Sequence, residues 1–318
     1  MNRTDSTLSP AALLSATLLV LALPAVFADG FGQRLAAEML LLGTAAMSLG
    51  LLVGFGGMVS LGHAAVFGSA AYAAALAAPW TGGALLPTLA LGLATGLVTS
   101  VAIGLLALRV QGLFFLVLTL VAGQIVWEIV FRWHDVTGGA DGLRGFGALS
   151  LHGHDLTSPL ALYTTSAALA LAAAVVARAF LRAPLGRALV GSREQPLRMR
   201  ALGYRLGGIR LAACAVAGGI AGAAGALYPF VNQYLGPSTV HWSLSATLII
   251  MLVIGGTRSL WGGYIGAAAY LAMQTYVSSW TDRWQLLVGL VFVATVLLMP
   301  QGAAHAVGGL VALSLIHI

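Results

Sequence analysis

About ten stretches of this chain are predominantly apolar, at roughly 11–28, 36–54, 60–78, 85–108, 112–131, 159–181, 209–230, 243–257, 260–279 and 284–300. Several reach the roughly 20 residues that a helix needs to cross a bilayer core. In lipid every backbone N–H and C=O must be paired internally, which leaves helical bundles and closed barrels. Barrel strands alternate apolar and polar residues, and these runs do not. The sequence therefore predicts an all-α polytopic membrane protein of about ten transmembrane helices, read as a single transmembrane domain over residues 1–318. Only 8% of residues are charged, against about a quarter in soluble domains, and mean hydropathy is +0.96.

All fifteen basic residues are arginine. Without lysine there is no P-loop and no Schiff base. If ATP drives this chain, another chain hydrolyses it, so no cofactor is expected here. The single cysteine, Cys214, rules out an intrachain disulfide and lies in an apolar run, where it reads as a small core residue. A pI near 10 raises the question of nucleic acid. With no soluble domain to present the arginines, membrane topology explains the charge better.

That charge is concentrated. Residues 181–210, LRAPLGRALVGSREQPLRMRALGYRLGGIR, hold seven arginines and one acid, a net +6 that equals the net charge of the whole chain. The positive-inside rule places residues 182–208 in the cytoplasm. Alternation then puts 132–158 outside, where Arg132 and Arg144 meet Asp135, Asp141 and Asp155, and leaves both termini cytoplasmic. The first run has a rival reading as a signal peptide cleaved after Ala28. Its 18 residues and barely basic start (Arg3 against Asp5) favour an uncleaved span.

A solvated basic loop needs only charge, and this one has more pattern. Ser192 and Gln195 fit a capping box, Pro196 suits a first helical turn, and Gly203 suits a C-cap. The helix expected between them has an apolar stripe (Leu197, Met199, Ala201, Leu202) flanked by Arg198 and Arg200. Such an element fits a groove on a soluble partner. The plainer alternative is a topology anchor that touches anionic lipid.

GGMVSLGHAAVFGSAAY (56–72) is echoed by GGTRSLWGGYIGAAAY (255–270). Paired glycine-interrupted segments are the usual pointer to a transport path; small residues that let helices pack are the alternative. Gly57, Ser60 and His63 in the first copy, with Thr119 and Gln124 in a later span, are candidate path residues. Ser60 reads equally well as a helix cap, and Thr119 as a threonine bonded to its own helix. Glu128 reads as interfacial. No Asp or Glu falls at the centre of an expected span, which argues against an ion-coupled transporter. HGHD (152–155) with His134 and Asp135 is weak evidence for a metal, and none is expected.

Several stretches, in order, resemble the permeases of branched-chain amino-acid ABC importers of the LivM type. These are GLLVGFGGMVSLGHAAVFGSAAYAAAL (50–76), LRVQGLFFLVLTL (108–120), TGGADGL (137–143), GRALVGSREQPLRMRALGY (186–204), SLSATLIIMLVIGGTRSLWGGYIGAAA (243–269) and MPQG (299–302). The chain departs at Gln195–Pro196, where the family has another acid, and at Gly262–Gly263, where it has Gly-Pro; the apolar ending LSLIHI is also unlike the family. The resemblance implies a type II ABC importer-like fold in a bacterial inner membrane. It implies a second, homologous permease subunit, two ABC ATPase subunits that carry ATP and Mg, and a periplasmic substrate-binding protein. The cargo would be leucine, isoleucine or valine, although related permeases import urea or short amides. By match to the coupling loop, Gly191, Arg193, Glu194, Leu197, Arg198, Arg200, Ala201, Leu202 and Gly203 would lie at or beside the ATPase contact.

Overall fold

The structure, a computed structural model, describes residues 24–25, 28–110, 112–151 and 153–298. Most of the expected first span, with its alternative cleavage site, lies outside these residues, as do His152, the end of the last span with MPQG, and the ending LSLIHI. Elsewhere each expected span contains a helix. They are α1 (Gly30–Gly50), α2 (His63–Thr81), α3 (Leu85–Ala107), α4 (Leu113–Arg132) and α5 (Pro159–Arg182). Two shorter helices follow, α6 (Pro184–Glu194) and α7 (Pro196–Ala201). Then come α8 (Leu206–Asn232), α9 (Trp242–Gly255), α10 (Gly262–Ala272) and α11 (Trp284–Leu298). Among the described residues five segments are long and apolar enough to cross a membrane, α3, α4, α5, α8 and α1 with its extension to Phe55.

Local chemistry sets the ends. Asp29 caps α1, its Oδ1 accepting from the Gly32 N–H at 2.7 Å, so the helix starts at Gly30 and not near residue 36 as expected. Glu38 is thereby drawn well inside the helix. Ser158 caps α5 in the same way. At its far end α1 loosens into a π-helical turn, Leu51–Phe55. The expected span at 260–279 divides into α10 and a second π turn, Met273–Val277.

The bundle closes around α8. Gly92, Gly96 and Ser100 on α3 face Gly218, Gly222 and Ala226 on α8, each set spaced by four residues. A Cβ on Gly222 would lie 2.2 Å from the Gly92 carbonyl oxygen, and one on Gly96 would lie 2.4 Å from that of Gly218. Lipid tails are as apolar as leucine, so helices associate in a membrane through such close backbone packing. Ser100 Oγ adds a hydrogen bond to the Cys214 carbonyl at 2.7 Å. Cys214 itself is buried, as its apolar setting predicts.

The two echoed segments play matching parts. Gly57 (φ +67°) and Gly256 (φ +114°), second members of their Gly-Gly pairs, turn the chain after one helix, and a short non-helical segment leads to the next. The two turns meet, since a Cβ on Gly54 would lie 1.7 Å from the Thr257 carbonyl. At the opposite end of the bundle two small antiparallel pairs tie the connections together. Strand β1 (Leu143–Arg144) pairs with β4 (Tyr234–Leu235), and β2 (Ser150–Leu151) with β3 (His154–Asp155).

Replacing Gly222 with valine forces α3 away from α8. The thermal midpoint of the detergent-purified chain should fall by an amount equivalent to about 1–3 kcal/mol of overpacking. Gly207→Ala, where an added Cβ meets nothing within 4 Å, should leave the midpoint unchanged or slightly raised.

Candidate functional site: a basic helix beside a buried polar knot

The arginine-rich segment is more ordered than its sequence suggested. After α5 the chain extends at Ala183 (ψ 158°) and Pro184 opens α6. This helix buries Gly186, Ala188, Leu189 and Ser192 against the bundle. Ser192 is therefore not a cap. It lies inside α6, and its Oγ donates to the Leu189 carbonyl at 2.7 Å. The capping box expected from Ser192 and Gln195 does not form, because tertiary burial continues the helix through Ser192 to Glu194. Gln195 (φ −142°, ψ 75°) breaks it, and Pro196 starts α7 with no side-chain cap. Gly203 ends α7 as expected, at φ +85°, with the Tyr204 N–H donating to the Met199 carbonyl at 3.1 Å.

The expected stripe on α7 divides. Met199 turns inward and packs beside Gly191 of α6. Leu197 and Leu202 remain 78% and 65% exposed, with Arg198, Arg200, Ala201, Gly203 and Tyr204 exposed around them. Glu194 is exposed and, among the described residues, makes no ion pair. The result is an apolar pair with a basic rim, exposed among the described residues.

Arg193 joins this surface to the bundle. Its guanidinium donates to the Gly54 carbonyl inside the π turn, and its stem lies over Gly57, where a Cβ would approach Arg193 Cγ to 2.8 Å. Arg193, Gly57, Met58, Phe115 and Arg210 are among the residues lining a cavity of about 190 Å³ at this junction. Leu189 of α6 packs on the same turn, where a Cβ on Gly56 would lie 3.3 Å from its Cδ1, so α6 meets the α1–α2 turn through both side chains.

The other path candidates lie deeper. Ser60, His63 and Thr119 come together at the N-terminus of α2, while Gly57 stays at the junction with Arg193. Thr119 Oγ1 accepts from the Leu61 N–H at 3.2 Å and donates to the Leu116 carbonyl at 2.9 Å. Ser60 Oγ accepts from the Gly62 N–H at 3.3 Å, so Ser60 is not itself the N-cap, a position held by Gly62. Ser245 of α9 accepts from the Ala64 N–H at 2.8 Å. His63, 1% exposed, bonds through Nε2 to Ser48 Oγ of α1 at 2.8 Å. Four helices thus contribute to one knot, which meets the N–H groups of Leu61 and Gly62 just before α2 and of Ala64 in its first turn. Ser48, Ser60, His63, Thr119 and Ser245 are all buried. Ser48 and Ser245 escaped the sequence reading. The signal for Ser48 was Thr44 one turn earlier on the same helix.

Gln124 is half-buried on α4, and its Oε1 is buried without a partner among the described residues. Glu128 pairs with Arg132 at the exposed end of α4, in keeping with an interfacial place. Among the described residues no three His, Cys, Asp or Glu side chains gather as metal ligands.

Comparison with known proteins gives a consistent picture. The family described as "Branched-chain amino acid transport system / permease component" matches residues 33–297. The chain is 25% identical over 282 residues to the high-affinity branched-chain amino acid transport system permease protein LivM of Salmonella typhimurium, covering 80% of this chain and 66% of the relative. It is 23% identical over 279 residues to the protein of the same name from Escherichia coli, with the same coverage. The chain thus spans a little under two thirds of the length of the curated relatives it matches. No solved structure matches it.

Removing the partner of a buried imidazole leaves a polar atom unsatisfied at about 1–3 kcal/mol. Ser48→Ala should therefore lower the thermal midpoint of the purified chain. Thr164→Ala, an exposed residue bonded only to its own helix, should not.

Proposed function

For a chain that belongs to the family of permease components of branched-chain amino acid transport systems, we propose the role of translocation subunit in an ATP-driven importer of leucine, isoleucine and valine. It is a multi-pass membrane protein of bacterial inner-membrane type, with its basic segment in the cytoplasm and both termini on that side. The observation that carries this reading is the α7 surface, where exposed Leu197 and Leu202 sit among Arg198 and Arg200 next to α6, which Arg193 bonds to the bundle. An apolar pair with a basic rim suits a groove on a soluble subunit. Two ABC ATPase subunits dock there, with ATP and Mg bound on them and not on this chain. A second homologous permease subunit lies alongside, and a periplasmic binding protein delivers the amino acid at the end carrying β1–β4.

In this reading closure of the ATPases displaces α6 and α7. Gly191, Arg193 and Glu194 lie where the push enters, and Ala201 and Gly203 hold the shape of the docking turn. Arg193 passes the push to Gly54 and Gly57. The knot of Ser60, His63 and Thr119 is the closed point of the path, and Gln124 lies on its far side.

Leu202→Asp and Glu194→Arg should each insert normally, yet cut leucine uptake by the reconstituted transporter roughly tenfold or more, as loss of an interface anchor does. Unchanged uptake in both variants would reduce the basic segment to a topology anchor. Leucine uptake by the chain without ATPases would overturn the reading itself.

A further inference from the structure

The cavity of about 190 Å³ where α6 meets the α1–α2 turn has positive charge on its wall and nothing there to balance it. Arg193 of α6 and Arg210 of α8 both line it, and no Asp or Glu does. Neither arginine makes an ion pair among the described residues. Arg193 gives one N–H to the Gly54 carbonyl, out of the five donors of a guanidinium. Arg210 lies in the second turn of α8, so its side chain leans back toward the start of that helix. Its Nε is buried with no hydrogen-bond partner among the described residues. A charged donor buried without an acceptor is costly, and an ionisable side chain within a membrane bundle marks a functional site by default.

The opposite wall is the α3–α4 turn, through Leu108, Val110 and Gly112. The helix ends that flank this turn expose Leu105, Leu106, Leu113 and Phe114. Two arginines that share one cavity thus lie beside an apolar surface of the kind acyl chains cover. Guanidinium forks match phosphate oxygens bidentately, and basic pockets between membrane helices hold acidic headgroups. We propose that Arg193 and Arg210 form a site for a phosphate-class anion, either the phosphodiester of an acidic phospholipid or a free phosphate, with Arg210 Nε as the donor that awaits it. A bound phosphate bridges α8 to α6 beside the turn that Arg193 already bonds. The site is independent of the cargo, so its failure leaves the proposed importer standing.

The test uses the purified full chain in uncharged detergent and phosphate-free buffer at fixed ionic strength. Three probes are titrated against its thermal midpoint: phosphatidylglycerol in mixed micelles, phosphatidylcholine in the same micelles, and glycerol 3-phosphate. Phosphatidylglycerol should raise the midpoint of the wild type. Phosphatidylcholine, whose quaternary ammonium would face two arginines, should not. A response to glycerol 3-phosphate as well assigns the site to phosphate alone, and a response to the acidic lipid only makes the acyl chains part of it. R210M should weaken the response by about ten- to a hundredfold in half-saturating concentration, the effect of losing hydrogen bonds to a charged group. R210K keeps the charge with fewer donors and should fall between the two, a grading that a mere folding defect does not produce. R187Q removes a charge from an exposed α6 arginine that does not line the cavity, and it should keep the full response. Native mass spectrometry should show phosphatidylglycerol retained by the wild type and by R187Q, and not by R210M. Equal responses in R210M and wild type, an equal loss in R187Q, an equal response to phosphatidylcholine, or no response to either acidic probe would overturn the site.

Discussion

Backbone groups that cannot reach water must find partners inside the protein, and at the start of α2 that requirement organises the molecule. The chain leaves α1 at a glycine turn, runs back toward the bundle without helical bonds, and begins a new helix among other helices. The N–H groups of Leu61 and Gly62 just before it and of Ala64 in its first turn are met by Thr119 from α4, by Ser60 and by Ser245 from α9, while Ser48 of α1 takes the neighbouring imidazole. α4 and α9 are therefore tied to this helix end through its backbone, and α1 through the His63 side chain. The same residues read as a transport path from their polarity and position. In the structure they are buried and bonded to one another's helices.

Around that knot the packing is made by what is absent. α8 meets α3 through Gly218 and Gly222 against Gly92 and Gly96, where no side chain intervenes. Such a contact depends on backbone shape and has little use for apolar burial, which gives no advantage among lipid tails. It holds α8 close enough for Ser100 to reach the Cys214 carbonyl. The part of α8 beyond this crossing carries Tyr228 and Asn232 to the half-buried Glu38 of α1.

Span positions were legible because hydropathy over twenty residues is a strong signal, and eight of the helices lie where the apolar runs place them to within a few residues. Ends were less legible. Asp29 was readable as an N-cap, and missing it left Glu38 near a helix end on paper when it sits inside the bundle. Ser192 shows the opposite failure. Its local pattern fitted a cap, but burial of its neighbour Leu189 carried α6 through it, a tertiary effect that no window of sequence contains. Gly203 succeeded because positive φ is a local demand that glycine meets by itself. Ser48 left only the trace of Thr44 one turn earlier, and Ser245 was invisible because its partner lies 181 residues away.

The π turn at Leu51–Phe55 bears on how force would travel. In it the Gly56 N–H reaches back to the Leu51 carbonyl and the Met58 N–H to that of Leu52, so the regular ladder of α1 ends before the helix's own chain does. A regular α-helix transmits an axial load as a stiff rod. A wider turn is compliant, and it can exchange one hydrogen-bond register for the next with a small rotation. Arg193 grips α1 at Gly54, within that compliant stretch. A load arriving there would be absorbed as twist at the α1–α2 corner before it shifted the rest of α1, so the helix could keep its place in the bundle while its end turned.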